Sequence, residues 1–382
     1  MIGVIADDLT GAAELGAVGW RRGLRAEVVI AGEPSGEVDL VCLDTNSRAC
    51  APGEAAERTA RAVRSLRQQQ ADWVYKKTDS VLRGNVTPEL EAIVSELGLD
   101  GALLVPANPS LGRTIVGGQY FVRGQLIHET EFARDPKHPR VSSDVRELIA
   151  APATLPLFVR RADEGLPKRG IVIGEVTTVD DLRQWSALRN ARWLNAGAAE
   201  FFGALLGLPA SSTKLKHRPG KELFVCGSAS DVTRNFVARQ AEQGVPVFSL
   251  PRELASGSEF DASALRQLTD QVTAAFNSTG RVVLHVGLPL VKDAAVAETL
   301  ALHLVRMAGA VLFRAQVAHV FAEGGATAVA LARQMGWHRL RVITEVSPGV
   351  VTLLPQGGSS TLFTMKPGTY TWPESLARLV PR

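Results

Sequence analysis

Short apolar runs alternate with longer amphipathic stretches along the first half of the chain. The apolar runs that predict buried strands are "IGVIA", "AEVVI", "LVCLD", "WVYKK" and "GALLVPA". Helical character predicts helices between them, over Gly11 to Arg22, Gly53 to Gln70 and Pro88 to Leu97. This alternation predicts an α/β fold with a largely parallel sheet flanked by helices.

The same alternation returns in the second half of the chain, after a polar stretch. A less regular region from His128 to Arg169 comes first, and "LPASSTKLKHRPGKE" from Leu208 then reads as a linker. Beyond it, "ELFVCGS", "VPVFSL", "RVVLHVG", "VAHVFAE" and "LRVITEV" predict further strands. The pattern therefore predicts two α/β domains, residues 1–215 and 216–382, and this matches the length of 382 residues.

Two adjacent acids follow the first predicted strand, in "ADDLTGA". Ligands of open α/β sheets bind beyond the carboxyl ends of strands, so Asp8 is a candidate functional residue. Asp7 stays open between a helix cap and a functional role, while Thr10 and Gly11 add an oxygen and a close backbone approach. A haloacid dehalogenase-type phosphatase is excluded, because its two acids are separated by one residue and Leu9 occupies the second place.

Polar side chains also follow the strands predicted after the first. The segment "YKKTDSVLRGN" supplies Lys77, Thr78, Asp79, Ser80 and Arg83, and other strand ends supply Arg48, Asn108 and Arg113. Lys and Arg bind carboxylates or phosphates, while acids and amides bind hydroxyl groups. The set predicts a site for a small polyhydroxy acid, with a solvated turn of mutually paired charges as the alternative.

Glycine-containing turns follow several predicted strands of the second half. "FAEGGATAVALARQMG" places Gly324 to Thr327 at the start of a helix, where amides and the helix dipole favour phosphate. "CGSAS", "EVSPGVV" and "MKPGTYTWP" add similar turns. Neither a Walker A motif nor G-x-G-x-x-G is present, so nucleotide binding depends on the set of loops rather than on one motif.

Composition narrows the function classes further. The net charge is +3 and the basic residues are scattered, which argues against nucleic-acid binding. Three irregularly spaced cysteines fit neither a disulfide framework nor a zinc site. The longest uncharged apolar stretch, around Phe201 to Ala210, is too short to span a membrane, and no signal peptide is visible, so a soluble cytoplasmic protein is expected.

The motifs "ADDLTGA", "KKTDSVLRGN", "PANPSLGRTIVGGQYFV", "GGATAVALARQMG" and "EVSPGV" together resemble the four-carbon acid sugar kinase family, in order and over nearly the whole chain. The resemblance implies an N-terminal sugar-acid domain and a C-terminal nucleotide-binding domain. It also implies ATP-dependent phosphorylation of acids such as threonate, erythronate or 3-oxo-tetronates at the terminal hydroxyl. The family's last motif reads like K-x-G-x-F-G, whereas this chain has "KPGTYTWP", with Thr371 in place of the last glycine.

By resemblance, two groups of residues fall on the family's sites. The substrate positions are Asp8, Arg48, Lys77, Thr78, Asp79 and Ser80, and the ATP positions are Ser228, Gly324, Gly325, Ala326, Thr327 and Gly368. Our hypothesis makes Asp8 the first candidate for the base and Asp79 the second. Arg48 and Lys77 would hold the substrate carboxylate, and Arg83 would support the substrate or the transferred group.

Mg²⁺ would accompany ATP as the second cofactor. Two alternatives stay open at this point: a non-catalytic two-lobed sensor of sugar acids, and an isomerase or aldolase acting on the same acids. Both leave the glycine loops of the second half without a role. The expected partner is a small-molecule sugar acid, and homo-oligomerisation stays open.

Overall fold

The computed structural model describes residues 1–135, 138–149, 153–211, 220–251, 262–287 and 294–377. The chain forms two compact units, Met1–Ser212 and Thr213–Arg382. The domain boundary predicted near residue 215 falls among residues 212–219, which lie outside the described residues.

The first unit alternates strands and helices for most of its length. In chain order it contains β1 (Ile2–Ala6), α1 (Leu9–Trp20), β2 (Ala26–Val29), β3 (Leu40–Asp44), α2 (Pro52–Gln68), β4 (Trp73–Lys77), α3 (Val86–Leu97), β5 (Gly101–Val105), β6 (Arg113–Val116), β7 (Gln119–Val122), β8 (Gln125–Leu126), α4 (Val145–Leu148), β9 (Leu157–Arg160), β10 (Gly170–Gly174), α5 (Val179–Ala187), β11 (Trp193–Gly197) and α6 (Ala199–Leu206).

The main sheet of this unit is parallel, in the order β2-β3-β1-β4-β11-β5-β10-β9. Its central strands are largely buried on both faces, which explains why they read as continuous apolar runs. The register pairs Ala6 with both Asp44 and Lys77, so β1, β3 and β4 end level with one another. The polar residues that follow these three strands therefore emerge side by side.

A small antiparallel sheet, β6-β7-β8, was not anticipated from the sequence. Its first turn is Gly117-Gly118, with φ of +56° and +75°, a conformation that two-residue hairpin turns require. Flanking backbone bonds between Ile115 and Val176 fasten the hairpin to the loop after β10.

The second unit is also α/β. It contains β12 (Glu222–Cys226), α7 (Asp231–Glu242), β13 (Val247–Ser249), α8 (Ala262–Thr279), β14 (Arg281–His285), α9 (Ala294–Arg314), β15 (His319–Glu323), α10 (Gly325–Gln334), β16 (Arg339–Ser347), β17 (Val350–Pro355), β18 (Leu362–Lys366) and α11 (Glu374–Ala377).

Parallel strands dominate one side of the second unit's sheet, in the order β13-β14-β12-β15-β18. The strands β18, β17 and β16 continue it as an antiparallel meander. The predicted α/β fold with largely parallel sheets is thus confirmed. No helix in the described part of the chain is long and apolar enough to cross a membrane.

Gly197 ends β11 in a backbone conformation that a side chain would disturb. Its φ is +144°, and a Cβ there would lie 1.9 Å from the carbonyl oxygen of Val105. The Gly197 carbonyl also accepts a hydrogen bond from the Thr78 amide at 3.0 Å, which fixes the start of the loop after β4.

We expect Gly197→Ala to lower the free energy of unfolding by about 2 kcal/mol or more, because the backbone of two neighbouring strands must separate. Urea unfolding of the variant against the parent chain measures this. Gly53→Ala is the matched control, since a Cβ there meets nothing within 4 Å and the helix gains a better former. An equal effect of the two substitutions would contradict the account.

Candidate active site

Polar residues from three adjacent strands meet at the carboxyl edge of the first unit's sheet. Asp7 and Asp8 follow β1, Arg48 follows β3 by four residues, and Asp79 follows β4 by two. Because the three strands end level, these side chains contact one another directly. The structure therefore brings together residues that the sequence placed on separate strand ends.

Arg48 is the centre of this cluster, which we call the acid cluster (Asp7, Asp8, Arg48, Asp79 and Arg83). Its Nε and Nη2 donate to the two carboxylate oxygens of Asp7 at 2.7 and 2.9 Å. Its Nη1 lies 2.7 Å from Asp8 Oδ2 and 3.7 Å from Asp79 Oδ2. One guanidinium thus compensates three carboxylates from two other strand ends.

Asp7 is buried and charged. Burial by itself would raise the pKa of its carboxyl, but the charge and hydrogen bonds of Arg48 outweigh that effect and hold the pKa below its usual range. The Asp7 side chain caps no helix, so the cap that the sequence left open for Asp7 is not its role. It anchors Arg48 instead.

Asp8 is the residue that caps α1. Its Oδ1 accepts the amide of Gly11 at 2.8 Å, and its Oδ2 accepts the hydroxyl of Thr10 at 2.5 Å. This cap also explains why α1 begins at Leu9, two residues earlier than predicted. Since Oδ2 also faces Arg48, the Asp8 side chain has one fixed orientation at the rim of the acid cluster.

Asp79 is held by a second arginine. Arg83 donates from Nε and Nη2 to the two carboxylate oxygens of Asp79 at 3.0 and 2.7 Å, and its Nη1 donates to Asp135 at 2.8 Å. Burial would raise the pKa of Asp79, yet the charges of Arg83 and Arg48 hold it well below its usual range. Asp135 was missed from the sequence because it lies in the irregular segment after β8.

The two lysines at the end of β4 point to opposite sides of the strand. Lys77 Nζ donates to the carbonyl of Thr78 at 2.8 Å and lies 3.3 Å from Glu14. Lys76 is fully buried and pairs with Glu89 at 2.8 Å. Glu89 also accepts the hydroxyl of Ser47. Strand alternation predicts that the two lysines point to opposite faces, but the sequence alone did not show which one pairs with Glu89, and both are buried.

Ser80 joins the loop after β4 to the β6–β7 hairpin. Its hydroxyl accepts a hydrogen bond from Arg113 Nη1, and its carbonyl accepts the hydroxyl of the buried Tyr120. The backbone of Arg113 in turn pairs with Asn108, which follows β5. Asn108 Oδ1 accepts a hydrogen bond from the Glu200 amide at 3.3 Å, so the side chain of this predicted site residue binds the first turn of α6.

Three loops of the second unit converge around the first turn of α10. A Cβ on Gly227 would lie 1.8 Å from the Thr327 hydroxyl, and one on Gly368 would lie 3.0 Å from the Ser228 hydroxyl. Ser230 Oγ caps α7 and donates to the Gly368 carbonyl at 3.0 Å. The residues predicted for nucleotide binding thus form one cluster, which we call the glycine-loop cluster (227–230, 324–327 and 367–370).

The first turn of α10 has no side-chain cap. Gly324 is its N-cap residue, with a φ of +93°, and its own amide donates to the Lys366 carbonyl at 2.9 Å. The backbone amides of the first turn of α10 therefore lie at the positive end of the helix dipole without a side-chain acceptor. Such an arrangement binds phosphate groups well.

A buried ion pair lies beneath these loops. Lys366 Nζ contacts Glu323 Oε2 at 2.8 Å, and the other oxygen of Glu323 accepts the hydroxyl of Thr233 in α7. Trp372 covers the Lys366 ammonium at 4.9 Å from the ring centre and packs edge-on against Phe321. Trp372, in the segment "KPGTYTWP", is therefore a core residue below the cluster.

Among the described residues no group of three or more His, Cys, Asp or Glu side chains could hold a metal ion. The acidic side chains of the acid cluster are instead compensated by arginine.

Two family models match the chain in order. One, described as "Sugar-binding N-terminal domain", matches residues 2–205, and the other, described as "Nucleotide-binding C-terminal domain", matches residues 223–370. Solved structures share the fold: a Salmonella typhimurium LT2 protein superposes with a TM-score of 0.80 at 22% identity, covering 98% of this chain and 97% of that one. A Haemophilus influenzae protein superposes with a TM-score of 0.73 at 22% identity, with 96% of each chain covered.

Curated relatives are kinases. The chain is 28% identical to a D-threonate kinase of Salmonella typhimurium, over 90% of this chain and 89% of that one. It is 27% identical to a 3-oxo-tetronate kinase of Pseudomonas fluorescens, over 97% and 94%. A D-erythronate kinase of Heliobacterium modesticaldum is 38% identical over 39% of this chain and 35% of that one. The chain belongs to the four-carbon acid sugar kinase family, and it is a phosphotransferase with an alcohol group as acceptor.

Proposed function

We propose that the protein transfers the γ-phosphoryl group of ATP to the terminal hydroxyl of a four-carbon sugar acid of the threonate, erythronate or 3-oxo-tetronate type. The observation that carries the proposal is the convergence of three glycine loops on the uncapped start of α10. The names of the curated relatives supply the class of acceptor. In this proposal residues 1–215 bind the acid and residues 216–382 bind the nucleotide.

The glycine-loop cluster fits the phosphates of ATP. The amides of Gly325, Ala326 and Thr327 are free of a side-chain cap, and Gly227 leaves the space beside the Thr327 hydroxyl unfilled. Ser228 and Gly368 lie in contact at the edge of the same cluster. Mg²⁺ is proposed to arrive with the ATP phosphates, because magnesium keeps several waters and needs few protein ligands. It would neutralise the phosphate charge.

Asp8 is proposed to orient the attacking hydroxyl and accept its proton. As the hydroxyl oxygen bonds to the γ-phosphorus, the bond to the leaving oxygen of ADP breaks, and the proton moves to the Asp8 carboxylate. Asp79 suits this role less well, because two arginines hold its pKa far below its usual range and make it a weak base. Its bidentate contact with Arg83 makes it a substrate-positioning residue.

Thr78, Lys77 and Ser80 are proposed to line the acceptor site, beside the acid cluster. Arg48 is proposed to hold the carboxylates of Asp7 and Asp8 in place through its three contacts with them. The sensor and the isomerase or aldolase alternatives make no use of the glycine-loop cluster. They are therefore tested as outcomes of the first experiment.

The first experiment measures ADP release with Mg-ATP across a panel of four-carbon acids and their 3-oxo derivatives. We expect ADP release that depends on at least one acid, with phosphate recovered on the terminal oxygen, and loss of the rate when EDTA removes Mg²⁺. Tight binding of an acid without ADP release would favour the sensor. Conversion of an acid in the absence of ATP would favour the isomerase or aldolase.

Asp8→Asn is expected to lower kcat by about 10²- to 10⁴-fold, the usual contribution of a general base. The fold should persist because Asn caps a helix as well as Asp does. Asp100→Asn is the matched control: this acid precedes β5 at the opposite edge of the sheet and pairs with Arg192. A near-parental kcat in Asp8→Asn would remove Asp8 from the role of base.

Gly227→Ala is expected to raise the KM for ATP by about tenfold or more, since the new Cβ would displace Thr327 and the first turn of α10. The KM for the acid should stay within about twofold, because the acid-binding residues lie in the other unit. Steady-state kinetics at saturating acid measures the effect, with Gly53→Ala as control. An equal rise in both constants would point to general misfolding instead.

A further inference from the structure

Four arginines contact the loop that follows β4, and they differ in what they bind. Arg48 and Arg83 each present the edge formed by Nε and Nη2 to an aspartate. Arg140 uses Nε for the His138 carbonyl and Nη1 for the Leu82 carbonyl. Three of the four are thus committed to the protein itself, and two already use the bidentate edge.

Arg113 is the exception among these four arginines. Its Nη1 donates to the Ser80 hydroxyl, while Nε and Nη2 have no protein partner in the described part of the chain. The unused edge is the same one that Arg48 and Arg83 present to carboxylates a few residues away. No carboxylate of the described residues lies within ion-pair distance of the Arg113 guanidinium.

The Arg113 guanidinium is nevertheless held in place. Its backbone pairs with Asn108, its Nη1 is fixed by Ser80, and its flat face lies 5.8 Å from the ring centre of Phe132. Tyr120, which is fully buried, fixes the Ser80 carbonyl. A guanidinium that is fixed before binding loses little side-chain entropy when an anion arrives.

Charge balance calls for such a residue. An anionic substrate that approaches Asp8 and Asp79 meets carboxylates of like charge, which disfavour it unless a cation compensates. Arg48 is engaged by Asp7 and Asp8, and Lys77 is engaged by Thr78 and Glu14. The two cations that the sequence suggested for the substrate carboxylate are therefore already occupied.

We propose that Arg113 binds the carboxylate of the sugar acid through its Nε–Nη2 edge and thereby selects acids over neutral polyols. The inference rests on the proposed kinase function and assigns the acid specificity of that site to one residue. Ser80, Tyr120 and Asn108 act as positioning residues, because each fixes Arg113 or its neighbours. Arg48 holds the neighbouring carboxylates of Asp7 and Asp8 in place.

The test compares binding of D-threonate, D-erythronate and the matching neutral alditols by calorimetry, in the full chain without ATP. Arg113→Gln should raise the Kd of the acid that the parent chain binds best by about 10²-fold, the loss expected for two charged hydrogen bonds. The Kd of the alditol and of Mg-ATP should change less than about threefold. Arg123→Gln is the matched control, since Arg123 is exposed on the same hairpin and has no side-chain bond in the described residues.

Rescue separates a binding role from a structural one. In Arg113→Ala, added guanidinium at millimolar concentration should restore part of the acid turnover. A variant that is merely destabilised would instead lose further turnover, because guanidinium is a denaturant. Arg113→Lys should keep the positive charge but lose the bidentate Nε–Nη2 edge. Its Kd for the acid should therefore lie between the values of the parent chain and of Arg113→Gln. Thermal unfolding of each variant shows that it is folded.

Three results would overturn the proposal while leaving the kinase function intact. The first is an acid Kd in Arg113→Gln within about threefold of the parent value. The second is an equal loss for acid and alditol, and the third is a loss for Mg-ATP instead of the acid, which would assign Arg113 to the phosphoryl group. Failure of the parent chain to release ADP with any acid would instead overturn the proposed function, and acid binding would still decide the role of Arg113.

Discussion

The bidentate pair between Arg48 and Asp7 is the interaction on which the acid cluster depends. Two carboxylates emerge side by side from the end of β1, and a third, Asp79, emerges from the neighbouring strand. Burial and mutual repulsion both disfavour such closely placed charges unless a cation compensates them. Arg48 contacts all three carboxylates, and it helps to hold the pKa values of Asp7 and Asp79 below their usual range. Removing one partner of such a buried pair typically costs about 3–5 kcal/mol.

The parallel sheet makes this pair available. Because β1, β3 and β4 end level, residues from distant parts of the chain emerge within reach of one guanidinium. Gly197 contributes to the same edge through its bond to the Thr78 amide. The side chains of the acid cluster therefore follow the ends of packed strands, which support them in one geometry.

Much of this arrangement could be predicted from the sequence. Apolar runs and the rule that ligands bind at strand ends were enough to select Asp8, Arg48 and Asp79, and the structure brings these three together. The glycine loops were also selected from their positions after strands, and they converge around α10. Both groupings depend on local signals that a parallel sheet places at one edge.

Partner choice could not be predicted, because it depends on contacts between distant residues. Sequence reasoning proposed Arg48 for the substrate, but it did not foresee the contacts of Arg48 with Asp7 and Asp8. It left the helix cap open for Asp7, whereas Asp8 caps α1. Composition showed cations and acids in suitable numbers, but which pairs form depends on the register of the strands and on the hairpin that carries Arg113. The β6–β7 hairpin could not be predicted from the sequence, since a glycine pair is equally compatible with an irregular loop.

A buried lysine–glutamate pair lies below the proposed ligand-binding edge in each unit. Lys76 and Glu89 lie below the acid cluster, and Lys366 and Glu323 lie below the glycine-loop cluster. Each pair also holds a hydroxyl from a further segment, Ser47 in the first unit and Thr233 in the second. An apolar pair of similar volume would often be as stable, so stability alone gives little reason for these ions. What they add is direction: each glutamate binds two groups at fixed angles, so loops from separate parts of the chain keep one relative position. A site that must hold charged ligands in one geometry gains more from that constraint than from additional apolar packing.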